Sequence, residues 1–418
     1  MSLLSRMGSV FGMRPRALIT ESDALWREVL RMGHGTASGA IVTESSAMRV
    51  AAAWRCMNII SGSISSLPLD LIRRVDERQR APAVGHRLRR ILTVKPNPWQ
   101  TPSEFKKMMQ AHLLLRGNGY ARKVMLGGVL EALIPLHPDR VRATQLDSLA
   151  MSYELKKKDG STITLGQKDI MHLRGMSLDG VTGMSVLSNM RESLGLALQT
   201  EQAGARLFKN GMLSGGVITH PGKLSDPARK NLEETLADKN AGSENAGKWL
   251  LAEEGMEFKP VSLSAEDAQW LGARDFQRYD IAMFFGVPPH MIGATEKATS
   301  FGSGIEAQGT GFVTYTLNDW IKTWEECIKR DLIPEAEWET HDARFNVNGL
   351  LRGDSKARWD GYVKGLQWGV LSPDDVLSME DRNPRADGGG GIYYDPPNTA
   401  GKSQTEEPEN DPTQTAAN

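Results

Sequence analysis

The sequence predicts an α+β fold, and three observations carry the prediction. Up to Gly183, short segments of alternating hydrophobicity meet at Gly127-Gly128 and Asp159-Gly160, turn dipeptides of antiparallel hairpins. After Gly183 that pattern gives way to long apolar stripes at helical spacing. At 418 residues, 40% hydrophobic and 24% charged, the chain has material for two or three cores and is neither a disordered chain nor a disulfide mini-protein. Its 42 glycines follow no fixed period, so they mark turns.

Taken in order, residues 1 to 44 mix Gly, Ser and Arg without a sustained period and read as a loosely held arm, with at most one short helix around Ala24 to Arg31. Met48, Ala52, Cys56, Ile59 and Ser63 then fall on one helical face. Leu67, Leu69 and Leu71 alternate as a strand does. Thr101-Pro102-Ser103-Glu104 is a capping box with Pro at the first helical position, which starts a helix that Gly117-Asn118-Gly119 ends. Strands at Tyr120 to Leu126 and Val129 to Ile134 form the first hairpin. Tyr153 to Lys157 and Ser161 to Leu165 form the second.

Beyond Gly183, Leu187, Met190, Leu194, Leu198, Ala205 and Phe208 describe one stripe on a long helix that stops at Asn210-Gly211. Residues 212 to 263 read as a small insert: strand Gly216 to Thr219, helix Asp226 to Leu236, strand Lys248 to Ala252, strand Met256 to Val261. A second long helix follows from about Ala265 to Phe285, with Gly272, Phe276, Tyr279 and Met283 at 4-3-4 spacing. Gly286 and Pro288-Pro289 end it. Gly293 to Gly304 is a flexible stretch of Thr, Ser, Gly and Ala. The strongest stripe comes next, through Val313, Leu317, Trp320, Trp324 and Cys327 or Ile328. Trp359, Val363, Leu366 and Val370 mark a last helix, and Ser372-Pro373-Asp374-Asp375 caps a short one. The stretch from about residue 386 reads as a disordered tail.

Charge and motif arithmetic exclude several kinds of chemistry. Fifty Lys and Arg balance 51 Asp and Glu, so the chain lacks the basic excess of a protein that grips many phosphates. Cys56 and Cys327, the only cysteines, cannot build a Cys-based zinc site and fit a reducing cytoplasm. Arg6, Arg14 and Arg16 interrupt any N-terminal apolar run, so neither a signal peptide nor a membrane partner is expected. Eight scattered histidines make no metal motif, His112 and His172 read as satisfied interior groups, and no Gly-x-Ser-x-Gly elbow occurs. The pairs Glu266/Asp267 and Glu325/Glu326 read as solvated helix faces. No catalytic residue, cofactor or metal is expected. Gly242 to Lys248 approaches a phosphate-binding loop, but Trp249 stands where a hydroxyl would hold magnesium, and a helix precedes it where a strand belongs.

Several strings in order resemble the portal proteins of tailed bacteriophages, the type of long-tailed siphoviruses: Asn97-Pro98-Trp99, Arg116 to Tyr120, Leu136 to Val141, Asp169 to Arg174, Gly286 to Gly293 and Leu350 to Asp354. The resemblance covers about residues 45 to 395. It implies a portal fold with wing, helical stem, inserted α/β clip, tunnel loop and helical crown, assembling as a homo-dodecameric ring at one capsid vertex. Carried onto this chain, the wing is 45 to 183, the first stem helix 184 to 211, the clip 212 to 263 and the second stem helix 264 to 287. The tunnel loop region is 288 to 304, the long wing helix 305 to 339 and the crown 340 to 385, followed by the tail at 386 to 418.

The implied function is a non-enzymatic channel for double-stranded DNA, used in packaging with the terminase large subunit, in ejection and in head-tail joining. The implied partners also include major capsid and scaffolding proteins and head-tail adaptor proteins, in a virion whose proteins are made in the host bacterial cytoplasm. Lys297, Thr299 and Ser300 are the expected tunnel-loop contacts, and Glu253, Glu254 and Glu257 the expected clip docking surface. The near-neutral charge agrees, because a channel in which DNA slides must hold phosphates weakly. Two rivals stand beside this reading: a nucleotide hydrolase using Gly242 to Lys248, and another head-tail connector ring component.

Overall fold

The structure is a computed structural model that describes residues 34–77, 79–209, 216–219, 222, 226–227, 229–230, 257–260, 269–294, 303–347, 355–380 and 382–395. Two compact units divide between Asn346 and Val347.

The first unit is built on antiparallel sheets, and the turn dipeptides set their hairpins. Strands β1 (His34–Gly35) and β2 (Ile41–Val42) pair ahead of the first long helix, α1 (Ala51–Ser66). The described residues therefore begin inside the expected arm, whose expected helix around Ala24 to Arg31 lies outside them. The helix buries Ala52, Cys56, Ile60 and Ile64, so its inward face sits one residue beyond the expected Ile59 and Ser63. β3 (Leu69–Arg74) and β4 (Arg80–Pro82) lead to α2 (Arg87–Thr93) and α3 (Pro102–Arg116). At the start of α3 the capping box is complete: Glu104 N–H donates to Thr101 Oγ1 and Thr101 N–H to Glu104 Oε2. Gly117 ends α3 at φ 72°.

β5 (Asn118–Leu126) and β6 (Val129–Leu136) turn at Gly127 and Gly128, whose φ of 58° and 79° only glycine adopts without strain. β7 (Val141–Gln145), β8 (Met151–Lys156) and β9 (Thr162–Gly166) form a meander, and β10 (Ile170–Arg174) pairs with β5. The first stem segment is interrupted: a single helical turn at Val186–Asn189 precedes α4 (Arg191–Lys209). β11 (Gly216–Thr219) and β12 (Glu257–Pro260) pair antiparallel.

α5 (Gln269–Phe285) buries Gln277, Ile281, Ala282 and Phe285, while Phe276 and Met283 of the expected stripe face outward. α6 (Ser303–Phe312), a π-turn (Val313–Leu317) and α7 (Asn318–Leu332) then run on as one helix. β13 (His341–Phe345) returns to pair with β3, Phe345 opposite Leu69 and His341 opposite Arg73, a partnership the expectation of a crown from residue 340 did not foresee.

The core lies where α1, α3 and α7 meet these sheets. Ile60, Ile64, Met109, Leu113, Leu133, Leu173 and Trp324 are fully buried, each such side chain contributing about 1.5–3 kcal/mol through burial. In the second unit, α8 (Ser355–Gln367) and α9 (Pro373–Met379) are joined by the predicted box at Ser372. Gly390, within the expected tail, lies against Asp374, where a Cβ would meet Oδ1 at 1.8 Å.

Candidate functional site

Two features position the long helix through residues 303–332. At its C-terminal end, Asp331 fastens it to the sheet. Its Oδ2 accepts from His172 N–H at 2.9 Å and from Arg330 at 2.7 Å, its backbone oxygen accepts from Lys123 Nζ at 2.7 Å, and Arg330 also donates to the oxygen of His172. Arg330 is held protonated chiefly by its bond to Asp331. Burial pushes the Cys327 thiol well above its ordinary range, which makes it inert packing. His172 is pushed well below the histidine range by burial. Its Nε2 meets Asn118 Oδ1 at 2.9 Å and its Nδ1 meets Tyr153 Oη at 3.3 Å, a satisfied neutral ring as expected.

The other end borders a groove of about 410 Å³ between the C-terminus of α5 and the π-turn, lined by Tyr279, Met283, Val287, Gln308, Phe312 and Tyr315 among others. No lining side chain carries a charge. Gly286, at φ 66°, closes α5, and its oxygen accepts from Thr316 Oγ1 at 2.6 Å. A Cβ at Gly286 would stand 2.8 Å from that hydroxyl, so the glycine is required both by its backbone and by the close approach. Met283 (77% exposed) and Tyr315 (85%) project from the rim. The lining is apolar apart from Gln308 and the hydroxyls of Tyr279, Tyr315 and Thr316, a surface suited to packing.

Of the predicted site residues, Lys297, Thr299, Ser300, Glu253 and Glu254 lie outside the described residues, as does the Gly242 to Lys248 segment. Glu257 opens β12, opposite Thr219. Glu325 corrects its expectation. It is buried, accepts from Phe345 N–H at 3.0 Å and pairs with Arg344 at 3.2 Å, because β13 docks beside it; Glu326 alone is solvated. His112 also differs, since its Nδ1 has no hydrogen-bond partner and it packs edge-on against His137, with burial lowering its pKa to about 4. Among the described residues no group of three or more His, Cys, Asp or Glu side chains is placed to hold a metal ion, and no helix is long and apolar enough to cross a membrane.

Sequence reasoning missed the groove. Its one local sign is Gly309-Thr310-Gly311-Phe312-Val313, where two adjacent bulky residues compete for one helix face.

Among the described residues, open antiparallel sheets packed on a long interrupted helix define an α+β fold with no closed barrel. The sequence matches the family model described as phage portal protein over residues 51–381, and the chain belongs to that family. It is 32% identical to the portal protein of Enterobacteria phage HK97 over 361 residues, 85% of this chain and 84% of that one. It is 31% identical to the probable portal protein of Streptomyces phage phiC31 over 397 residues, 91% and 85% of the two chains. Its fold is similar to a chain in the neck of the native gene transfer agent particle computed with C12 symmetry, with a TM-score of 0.54 and 20% identity over 92% of this chain and 100% of that one. Portal proteins are non-enzymatic components of phage virions, at the capsid vertex.

Proposed function

We propose that this portal protein forms a dodecameric ring through which double-stranded DNA enters the capsid, driven by the ATPase of a separate terminase large subunit, and later leaves. The match to the HK97 portal protein over 85% of the chain carries the reading. The C12 symmetry of the similar neck supports a ring of twelve copies. Met283 on α5, 77% exposed, supports side-by-side packing of copies, since an exposed apolar side chain on a helix is a ready contact for the next subunit. In this assignment residues 45 to 183 are the wing, 184 to 211 and 264 to 287 the stem, and 212 to 263 the clip, whose base is the β11–β12 pair. Residues 305 to 339 are the long wing helix, and 340 to 385 the crown, less the strand His341–Phe345 that pairs with β3.

Lys297, Thr299 and Ser300 would face the DNA as a weakly charged collar, and Glu253, Glu254 and Glu257 would dock the terminase and later the adaptor proteins of the neck. Capsid and scaffolding proteins would surround the wing. The chain would be made in the host bacterial cytoplasm and end in the virion. Electron microscopy of the purified protein, with native mass to count subunits, tests this. Rings with an axial channel of roughly 20 Å, wide enough for a B-form duplex, are expected; a protein that stays monomeric or dimeric at every concentration contradicts it.

A further inference from the structure

The helix through residues 303–332 carries two apolar stripes that cannot be satisfied together. Four residues before Leu317 stands Val313, its partner in an α-helix; five residues before stands Phe312, its partner across a π-turn. The structure uses the second. Asn318 N–H donates to Val313 O, five residues back, and Phe312 (5% exposed) and Leu317 (0%) are both buried while Val313 is only half-buried. An α-helix would place Phe312 about 140° around the axis from Leu317, and Val313 within about 40°.

Three neighbouring features make the alternative reachable. Gly304, Gly309 and Gly311 leave α6 weakly committed to any one packing, since glycine adds helix cost and no side-chain contact. Phe312 already borders the apolar groove, so a rotation that takes its ring out of the core brings it to a surface able to cover it. Asp331 is tied to His172, so the helix beyond the π-turn is held, while Thr316 ties the π-turn itself to Gly286.

We propose that residues 303–317 are a two-register switch. In the second register the π-turn is absorbed into a continuous α-helix, Val313 takes the inward place of Phe312, and Phe312 turns toward the groove beside Met283 and Tyr315. α6 then rotates by about 100°, one residue's worth, against a stationary α7. Burial lost by Phe312 is offset by Val313, by the groove and by recovery of the α hydrogen-bond ladder, the condition for a bistable packed element. The switch rests on the fold of one subunit and not on the ring.

The test is hydrogen exchange on the full chain, with cryo-electron microscopy of two variants. Deletion of Thr314 leaves Phe312 four residues from the present Leu317, so one continuous α-helix buries it and the second register disappears. Phe312→Ala removes the anchor of the π-register and favours Val313. In the unaltered protein the amides of residues 308–316 are expected to exchange at least about tenfold faster than those of residues 320–328. The deletion should abolish that difference, and Phe312→Ala should show an uninterrupted helix with Val313 inward. Equal protection of the two segments in the unaltered protein, or a π-turn retained in Phe312→Ala, overturns the proposal. If either variant fails to fold, the exchange of the unaltered chain and the other variant decide. A chain that switches register but never forms rings would contradict the portal assembly and leave the switch standing.

Discussion

Lys106 is 6% exposed, with its ammonium donating to the oxygen of Leu67 and lying 5.5 Å from the centre of the Phe345 ring. Burial lowers its pKa from 10.5 to about 8, because removing the charged form from water costs more than one carbonyl and one ring return. Between those two pH values the unfolded chain holds a proton that the folded one has released, so this group makes stability rise with pH there and contributes its full cost below about 8. Lys106→Met should therefore raise the urea midpoint at pH 7, and its advantage should shrink as the pH climbs from 8 to 10.5. A difference independent of pH would refute the assignment. Asp331 presents the opposite case, a buried carboxylate with every neighbour a donor. Asp331→Ala leaves the His172 amide unmatched and removes the carboxylate partner of Arg330, and should cost about 2–4 kcal/mol in denaturant unfolding.

At the scale of elements, contacts between glycines fix how segments meet. A Cβ on Gly183 would lie 2.0 Å from the oxygen of Gly117, and one on Gly117 would lie 2.3 Å from the oxygen of Gly183, both against backbone that cannot yield. Gly183→Ala should destabilise the first unit by about 3 kcal/mol or more, read as a lower thermal midpoint. Gly195 of α4 meets the side chain of Thr36 in the same way, at 2.4 Å, and Glu192 accepts from Ala37 N–H nearby. Gly195→Leu should release the β1–β2 hairpin, so that protease cuts near residues 36–42 appear while the far larger core keeps its melting temperature. These junctions were invisible in the sequence, where a glycine near a turn reads only as a turn. The hairpins were legible, because Gly127-Gly128 and Asp159-Gly160 specify local backbone angles that need no distant partner. The capping boxes at Thr101 and Ser372 were legible for the same reason.

For the whole molecule, a formal net charge of −1 sets the expected behaviour toward DNA. Assembled rings should retain duplex DNA weakly, with the apparent affinity falling as salt rises from about 50 to 200 mM, since few phosphates are neutralised. Tight binding by a monomer that persists in high salt would contradict the channel reading. The pairing of β13 with β3 belongs to this scale as well. It joins His341 to Arg73 and buries Glu325 under Arg344, and nothing within either strand announces the other.

By itself the sequence determined the α+β class, the turns, the helix caps, the end of α5 at Gly286 and, through ordered short strings, the portal family. Each of these rests on bonds and angles spanning a few residues, or on a pattern that survives without coordinates. Tertiary structure decided which face of a helix is inward and which strands are neighbours. Phe276 and Met283 of the expected stripe on α5 face outward, and the helix beyond Ser303 buries Phe312 in place of Val313. The physical reason is the same in both cases: an apolar residue is buried by whatever surface reaches it, and that surface is built from elements outside the local stretch of sequence.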